Sequence, residues 1–135
     1  MLKIVQQTVE LPAPPSELYA MYLDSTMHAA FTGGGPATIT PATGTEWSAF
    51  DGRIHGQVLA LVPARRIVQS WRSFEWQDEE LDALLLLAFT AAGGGTRVEL
   101  VQVGVPERLY DTLVSGWPMR YWQPWRAYLE GRRQV

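Results

Sequence analysis

Apolar and polar positions alternate from the start of the chain. Leu2, Ile4, Val5, Val9 and Leu11 are interleaved with Lys3, Gln6, Thr8 and Glu10, and the stretch stops at Pro12 and Pro14-Pro15, which predicts a first strand over 2–11. Pro15 suits the first turn of a helix, and Leu18, Tyr19, Met21, Tyr22 and Leu23 recur at helical spacing after it. Asp24 or Ser25 is placed to cap a second short helix that runs through Phe31. Gly33-Gly34-Gly35-Pro36 cannot hold regular structure. Beyond it Thr38-Ile39-Thr40, a turn at Pro41 to Gly44, Thr45 to Phe50 and a turn at Asp51-Gly52 predict a meander.

Two further strands are expected over Ile54 to Val62 and Arg66 to Arg72, divided by Pro63-Ala64. Period-two alternation puts Ile67, Gln69 and Trp71 on one face. The acidic Gln77 to Glu80 reads as an exposed connection. Ala83 to Thr90 and Thr96 to Val103 then flank Gly93-Gly94-Gly95 as a hairpin, with Leu85, Leu87, Phe89, Val98 and Leu100 directed inward and Arg97 and Glu99 outward. After Pro106 the spacing turns helical: Leu109, Leu113 and Val114, then Trp117, Tyr121, Trp125, Tyr128 and Leu129. Pro124 removes a backbone donor within this run, so a kink or local loosening is expected there. The pattern is that of one α+β domain over residues 1–135, a curved antiparallel sheet of about six or seven strands with a long C-terminal helix and two short helices after the first strand.

Composition supports a folded globular domain: 47% of the 135 residues are apolar and 19% charged. A formal net charge of −3 offers no electrostatic footprint for a phosphate backbone, so nucleic acid is not an expected partner. Cysteine is absent, which removes disulfides, thiolate metal sites and a cysteine nucleophile. Met1 to Val5 leads into polar Gln6-Gln7, predicting no signal peptide, and no apolar run approaches the length of a membrane span, so a cytoplasmic location is expected.

Four motifs in order, Ile54-x-Gly56, Pro63-x-Arg65-Arg66-Ile67-Val68-Gln69-x-Trp71-Arg72, Gly95-Thr96-Arg97-Val98-x-Leu100 and Gly116-Trp117, lie in a strand, two-helix, multi-strand, long-helix succession. From about Thr8 to Leu129 this resembles the bacterial proteins related to the C-terminal domain of the activator of the Hsp90 ATPase, within the START-like (SRPBCC) superfamily. The resemblance implies a helix-grip fold, in which the sheet wraps the C-terminal helix and leaves an elongated cavity. Relatives bind lipids, sterols, polyketides or plant hormones, and a minority are cyclases, dehydratases or hydrolases. Where many relatives carry a histidine after the Gly-Thr-Arg turn, this chain has Gln102.

The expected site follows from these two readings together. Trp117, Tyr121 and Trp125 climb one side of the last helix, and Trp47, His55, Trp71, Leu87, Phe89 and Gln102 come from the sheet. Large aromatic side chains with one polar atom can line a ligand pocket or simply fill a core. His28 and His55, the only histidines, are too few for an ordinary zinc site, and no metal or other cofactor is implied. The triple glycines lack the lysine of a phosphate loop, no Gly-x-Ser-x-Gly elbow is present, and Arg65-Arg66 and Arg132-Arg133 read as solvated charge. The leading expectation is a non-enzymatic protein that holds a small apolar molecule, lipid- or polyketide-like, between sheet and helix. A chaperone-associated interaction module is the alternative, and a cyclase or dehydratase using His55, Glu46 or Asp51 is a second. A homodimer is the commonest assembly if one forms.

Overall fold

The computed structural model describes residues 1–133, with side chains as far as Arg132. Its elements run β1 (Leu2–Leu11), α1 (Pro15–Leu23), α2 (Ser25–Thr32), β2 (Glu46–Ala49), β3 (Ile54–Val62), β4 (Arg66–Ser73), β5 (Ala83–Ala92) and β6 (Gly95–Pro106). A 3₁₀ turn (Glu107–Leu109) leads into α3 (Tyr110–Trp117), a π turn (Pro118–Trp122) and α4 (Gln123–Arg133). The six strands form one antiparallel sheet in the order β1-β6-β5-β4-β3-β2. The pair α1–α2 carries the chain from one sheet edge to the other, and β2 to β6 return as a meander that closes on β1. The inner face of the sheet and the C-terminal helix enclose the core in the helix-grip arrangement. No helix among the described residues is long and apolar enough to cross a membrane.

Register follows the alternation. In the β5–β6 hairpin Leu87 pairs with Leu100 and Phe89 with Val98, and these side chains are buried with Leu85, while Leu84 and Leu86 point outward at 45% and 40% exposure. The turn uses Gly93 and Gly94 at φ +56° and +84°, a conformation other residues enter at a steric cost. Thr38–Thr40 contributes a single bridge, Thr38 to Ser48, in place of a strand, which leaves six. Asp24 caps α2 by accepting the Met27 N–H at 2.8 Å, whereas Ser25 bonds both backbone groups of Ile39 and holds that loop.

Three of the sequence motifs act through the backbone. At Gly56 a Cβ would fall 2.0 Å from the Ser70 carbonyl oxygen. The same carbonyl accepts the Trp47 indole N–H at 3.1 Å, and the Ser70 hydroxyl takes the Gln57 N–H at 2.8 Å, so side chains replace ladder bonds where β3 irregularly meets β4. Thr96 donates from its buried hydroxyl to the Ala13 carbonyl at 2.6 Å and fixes the exit of β1. Arg72 reaches the carbonyls of Gln77 and Glu80 and the carboxylate of Asp82, ordering the 74–82 loop, which Arg108 also grips through Glu80 and the Glu75 carbonyl. The acidic connection is thus exposed but tied down.

The C-terminal helix loosens one turn earlier than its sequence predicts. Pro118 has no N–H to give the Val114 carbonyl, and that carbonyl instead accepts from the Gln7 amide at 2.8 Å. The Gln123 N–H reaches back five residues to Pro118, forming the π turn, and α4 runs through Pro124 in its first turn. The wider turn lets Trp117 and Trp122, five apart, both point inward and stack at 5.7 Å, and the Trp122 indole N–H closes the arrangement on Gln7 Oε1 at 2.8 Å. Of the C-terminal arginines, Arg132 pairs with Glu17 and lies over the Tyr128 ring, and the side chain of Arg133 lies outside the described residues.

Candidate functional site

The space between sheet and helix is mostly filled by side chains. Trp125 is fully buried and stacks on Phe31 of α2 with centroids 4.2 Å apart and planes inclined by 14°, so the middle of the interface is packed aromatic core. Leu87 is buried in the same core, Phe89 meets Tyr19 edge-on at 6.1 Å, and Trp47 anchors β2 over Gly56. The elongated cavity implied by the family resemblance is therefore replaced along most of its length by packing.

Open space remains at one end. A cavity of about 210 Å³ is lined by Phe50 and Arg53 of the β2–β3 turn, Ile54, Trp71, Ser73, Phe74 and Glu75 at the β4 exit, and Leu113, Gly116, Trp117, Arg120 and Tyr121 of the helix. Its walls owe their positions to features already described: the Arg72 and Arg108 clamps set Phe74 and Glu75, the Phe74 N–H to Arg53 carbonyl bond of 2.9 Å joins the two turns, and the π turn presents Tyr121. Gly116 has open space where a Cβ would stand, so the absence of a side chain there widens the mouth. Phe74 is exposed at the lip.

Of the side chains singled out by sequence, Trp71, Trp117 and Tyr121 come together around this cavity. Gln102 stands behind it. Its Oε1 accepts the Trp117 indole N–H at 2.9 Å, and since an indole can only donate, the amide orientation is fixed and Nε2 has no acceptor among the described residues. Trp47, Leu87, Phe89 and Trp125 lie elsewhere in the core. His55 is exposed on the outer face of β3, because Ile54, Gly56 and Val58 claim the inward positions. Glu46 and Asp51 are exposed as well, and none of the three borders the cavity. Among the described residues no group of three or more His, Asp or Glu could hold a metal ion.

Sequence reasoning missed two contributors. Trp76, in the 74–82 loop, is buried edge-on against Trp71 at 5.5 Å with its N–H on the Leu81 carbonyl, and backs the cavity wall. His28 of α2 is 1% exposed and bonded at both nitrogens: Nδ1 lies 2.7 Å from the Tyr22 carbonyl and Nε2 2.9 Å from the Tyr121 hydroxyl. The carbonyl accepts only, so Nδ1 carries the proton and Tyr121 donates to Nε2, which holds the Tyr121 ring against the cavity. The Tyr22 hydroxyl in turn donates to Gln69 Oε1 at 2.9 Å. Burial lowers the His28 pKa to about 4 against an opposing contribution from the Tyr22 carbonyl, and burial raises both Tyr22 and Tyr121. The three-residue spacing of His28 and Phe31 on one helical face is the one sequence signal that marks this histidine as buried.

Comparison with known proteins agrees with this architecture. Human activator of 90 kDa heat shock protein ATPase homolog 1 is 30% identical over 121 residues, covering 90% of this chain and 33% of that protein, so the chain spans about a third of the length of this curated relative. An Hsp90 activator from Plasmodium falciparum, PFC0360w, superposes with a TM-score of 0.86 at 18% identity, over 94% of this chain and 96% of its own. The Aha1 dimer from Colwellia psychrerythraea superposes at 0.76 and 10% identity, over 90% and 92%. The model of the family described as activator of Hsp90 ATPase homolog 1-like protein matches residues 12–130, which hold β2 to β6 and nearly all of the C-terminal helix, and the chain belongs to that family.

Proposed function

We propose that the domain binds a small, largely apolar molecule in the cavity at the Trp71–Trp117 end of the helix-grip interface, in a cytoplasmic setting. The observation that supports this reading is an aromatic-walled space left open beside a packed core, with Gly116 keeping its mouth clear. Naphthalenemethanol, an uncharged two-ring probe, is expected to shift the indole N–H resonances of Trp71 and Trp117 in a heteronuclear NMR titration. Gly116→Leu should block the cavity from within a helix and abolish these shifts. Its stability should stay equal or rise slightly, since glycine costs a helix interior up to about 1 kcal/mol. Unshifted resonances in the wild-type domain at millimolar probe would remove the reading.

A second reading is favoured by a different surface. Ile4 pairs with Val103 and Val103 with Leu84, so these exposed apolar side chains form one row across the outer face of the sheet, with Leu86 beside it. Together with the kinship to Hsp90 activators, this supports docking onto an Hsp90. The domain is then expected to raise ATP turnover by the Hsp90 of its own cell, and Leu84→Glu to raise the half-saturating concentration about tenfold. No stimulation at saturation would remove this reading, and a doubled mass by light scattering, lost in Leu84→Glu, would assign the row to a homodimer.

A further inference from the structure

We infer that the cavity selects a compact, flat apolar ring system carrying an anionic group, a carboxylate by class; this rests on the small-molecule reading above. Size sets the first limit. A cavity of about 150 Å³ admits benzene, so the 210 Å³ here suits one or two fused rings and not an enclosed sterol or long acyl chain. Wall chemistry sets the second: the buried rings of Trp71 and Trp117 border the inner end of the space and Phe74 stands exposed at the lip.

Charge sets the third limit. Arg53 and Arg120 stand on opposite walls, one on the β2–β3 turn and the other on the π turn. Neither guanidinium has an ion-pair or hydrogen-bond partner among the described residues, a state shared with Arg65 and Arg66 beside the β3–β4 turn, whereas Arg72, Arg97, Arg108, Arg126 and Arg132 are all engaged. Glu75 is the single acidic residue of the lining, so the mouth carries a net positive charge in a chain whose formal net charge is −3. Two arginines bordering one opening over an aromatic floor supply planar guanidinium forks that match a carboxylate attached to a ring. The ring enters between the aromatic walls and the carboxylate stays at the lip, where desolvation is small.

The test compares three probes with one ring system: naphthoate, naphthalenemethanol and naphthylmethylammonium, titrated calorimetrically and by the same indole resonances. Naphthoate is expected to bind about tenfold more tightly than the alcohol, as two partly exposed charge-assisted contacts allow, and the ammonium most weakly. The preference should shrink as salt is raised. Arg53→Gln with Arg120→Gln should erase it, bringing acid and alcohol to equal affinity, and Glu75→Gln should enlarge it. Both arginines are exposed and unpaired, so the double variant should melt with the wild type. Equal binding of acid and alcohol, or a preference surviving in the double variant, overturns the anion assignment while the cavity reading stands. Failure of all three probes to bind overturns both.

Discussion

Truncation of Trp125 to alanine is expected to cost the domain about 4 kcal/mol in urea unfolding, within the range for a fully buried tryptophan. The side chain has no exposed surface and stacks on Phe31, so its removal leaves a sealed void between α4 and α2 and breaks an aromatic pair. Trp117 supplies the contrast. It is almost as buried, yet it borders the cavity, so Trp117→Ala widens existing space and lets solvent reach the abandoned Gln102 amide. A smaller loss is expected there, about 2–3 kcal/mol, with a larger change in probe binding. Equal losses at both positions with no effect of Trp117→Ala on binding would mean that the space beside Trp117 behaves as core.

Acidification is expected to destabilise the fold through His28 by about 3 kcal/mol between about pH 7 and pH 4. The imidazole titrates near its ordinary 6.5 in the unfolded chain and at about 4 in the folded one. Between those values the unfolded state holds the extra proton, so the stabilising contribution is fully present above 6.5 and is lost as the pH falls through 4. Protonation would also convert Nε2 to a donor, so the Tyr121 hydroxyl would have to accept and its own proton would lose its acceptor. His28→Gln keeps a donor and an acceptor but cannot titrate. Its stability should therefore fall less steeply over that window, although it starts lower. Urea midpoints measured across the window in both proteins check this, and parallel curves would exclude His28 as the titrating group.

The hairpin and its inward face were legible because strand side chains alternate strictly, so Leu85, Leu87, Val98 and Leu100 could point only one way once Leu84 and Leu86 pointed out. The same alternation put Ile67, Gln69 and Trp71 on the helix side. Depth was not legible. His55 sits in a mostly apolar strand, yet Ile54 and Val58 take the buried positions on either side and leave it on the outer face. Pro124 announced a disturbance of the last helix, and it follows directly on the π turn, but Pro118 is the residue whose missing N–H frees a carbonyl for Gln7. Gln7 lies more than a hundred positions away, and no local pattern connects the two.

The sequence by itself determined the order of elements, the faces of the strands and the family, because each rests on short-range periodicity, turn chemistry or local motifs. The tertiary structure alone decided which aromatics pack and which border space. Trp125 and Trp117 are eight residues apart on one helix and carry the same pattern, but Phe31 fills the space before the first, while Gly116, the π turn and the clamped 74–82 loop leave it open before the second. A cavity is the volume that several distant segments fail to fill, and its position is fixed only when all of them are in place.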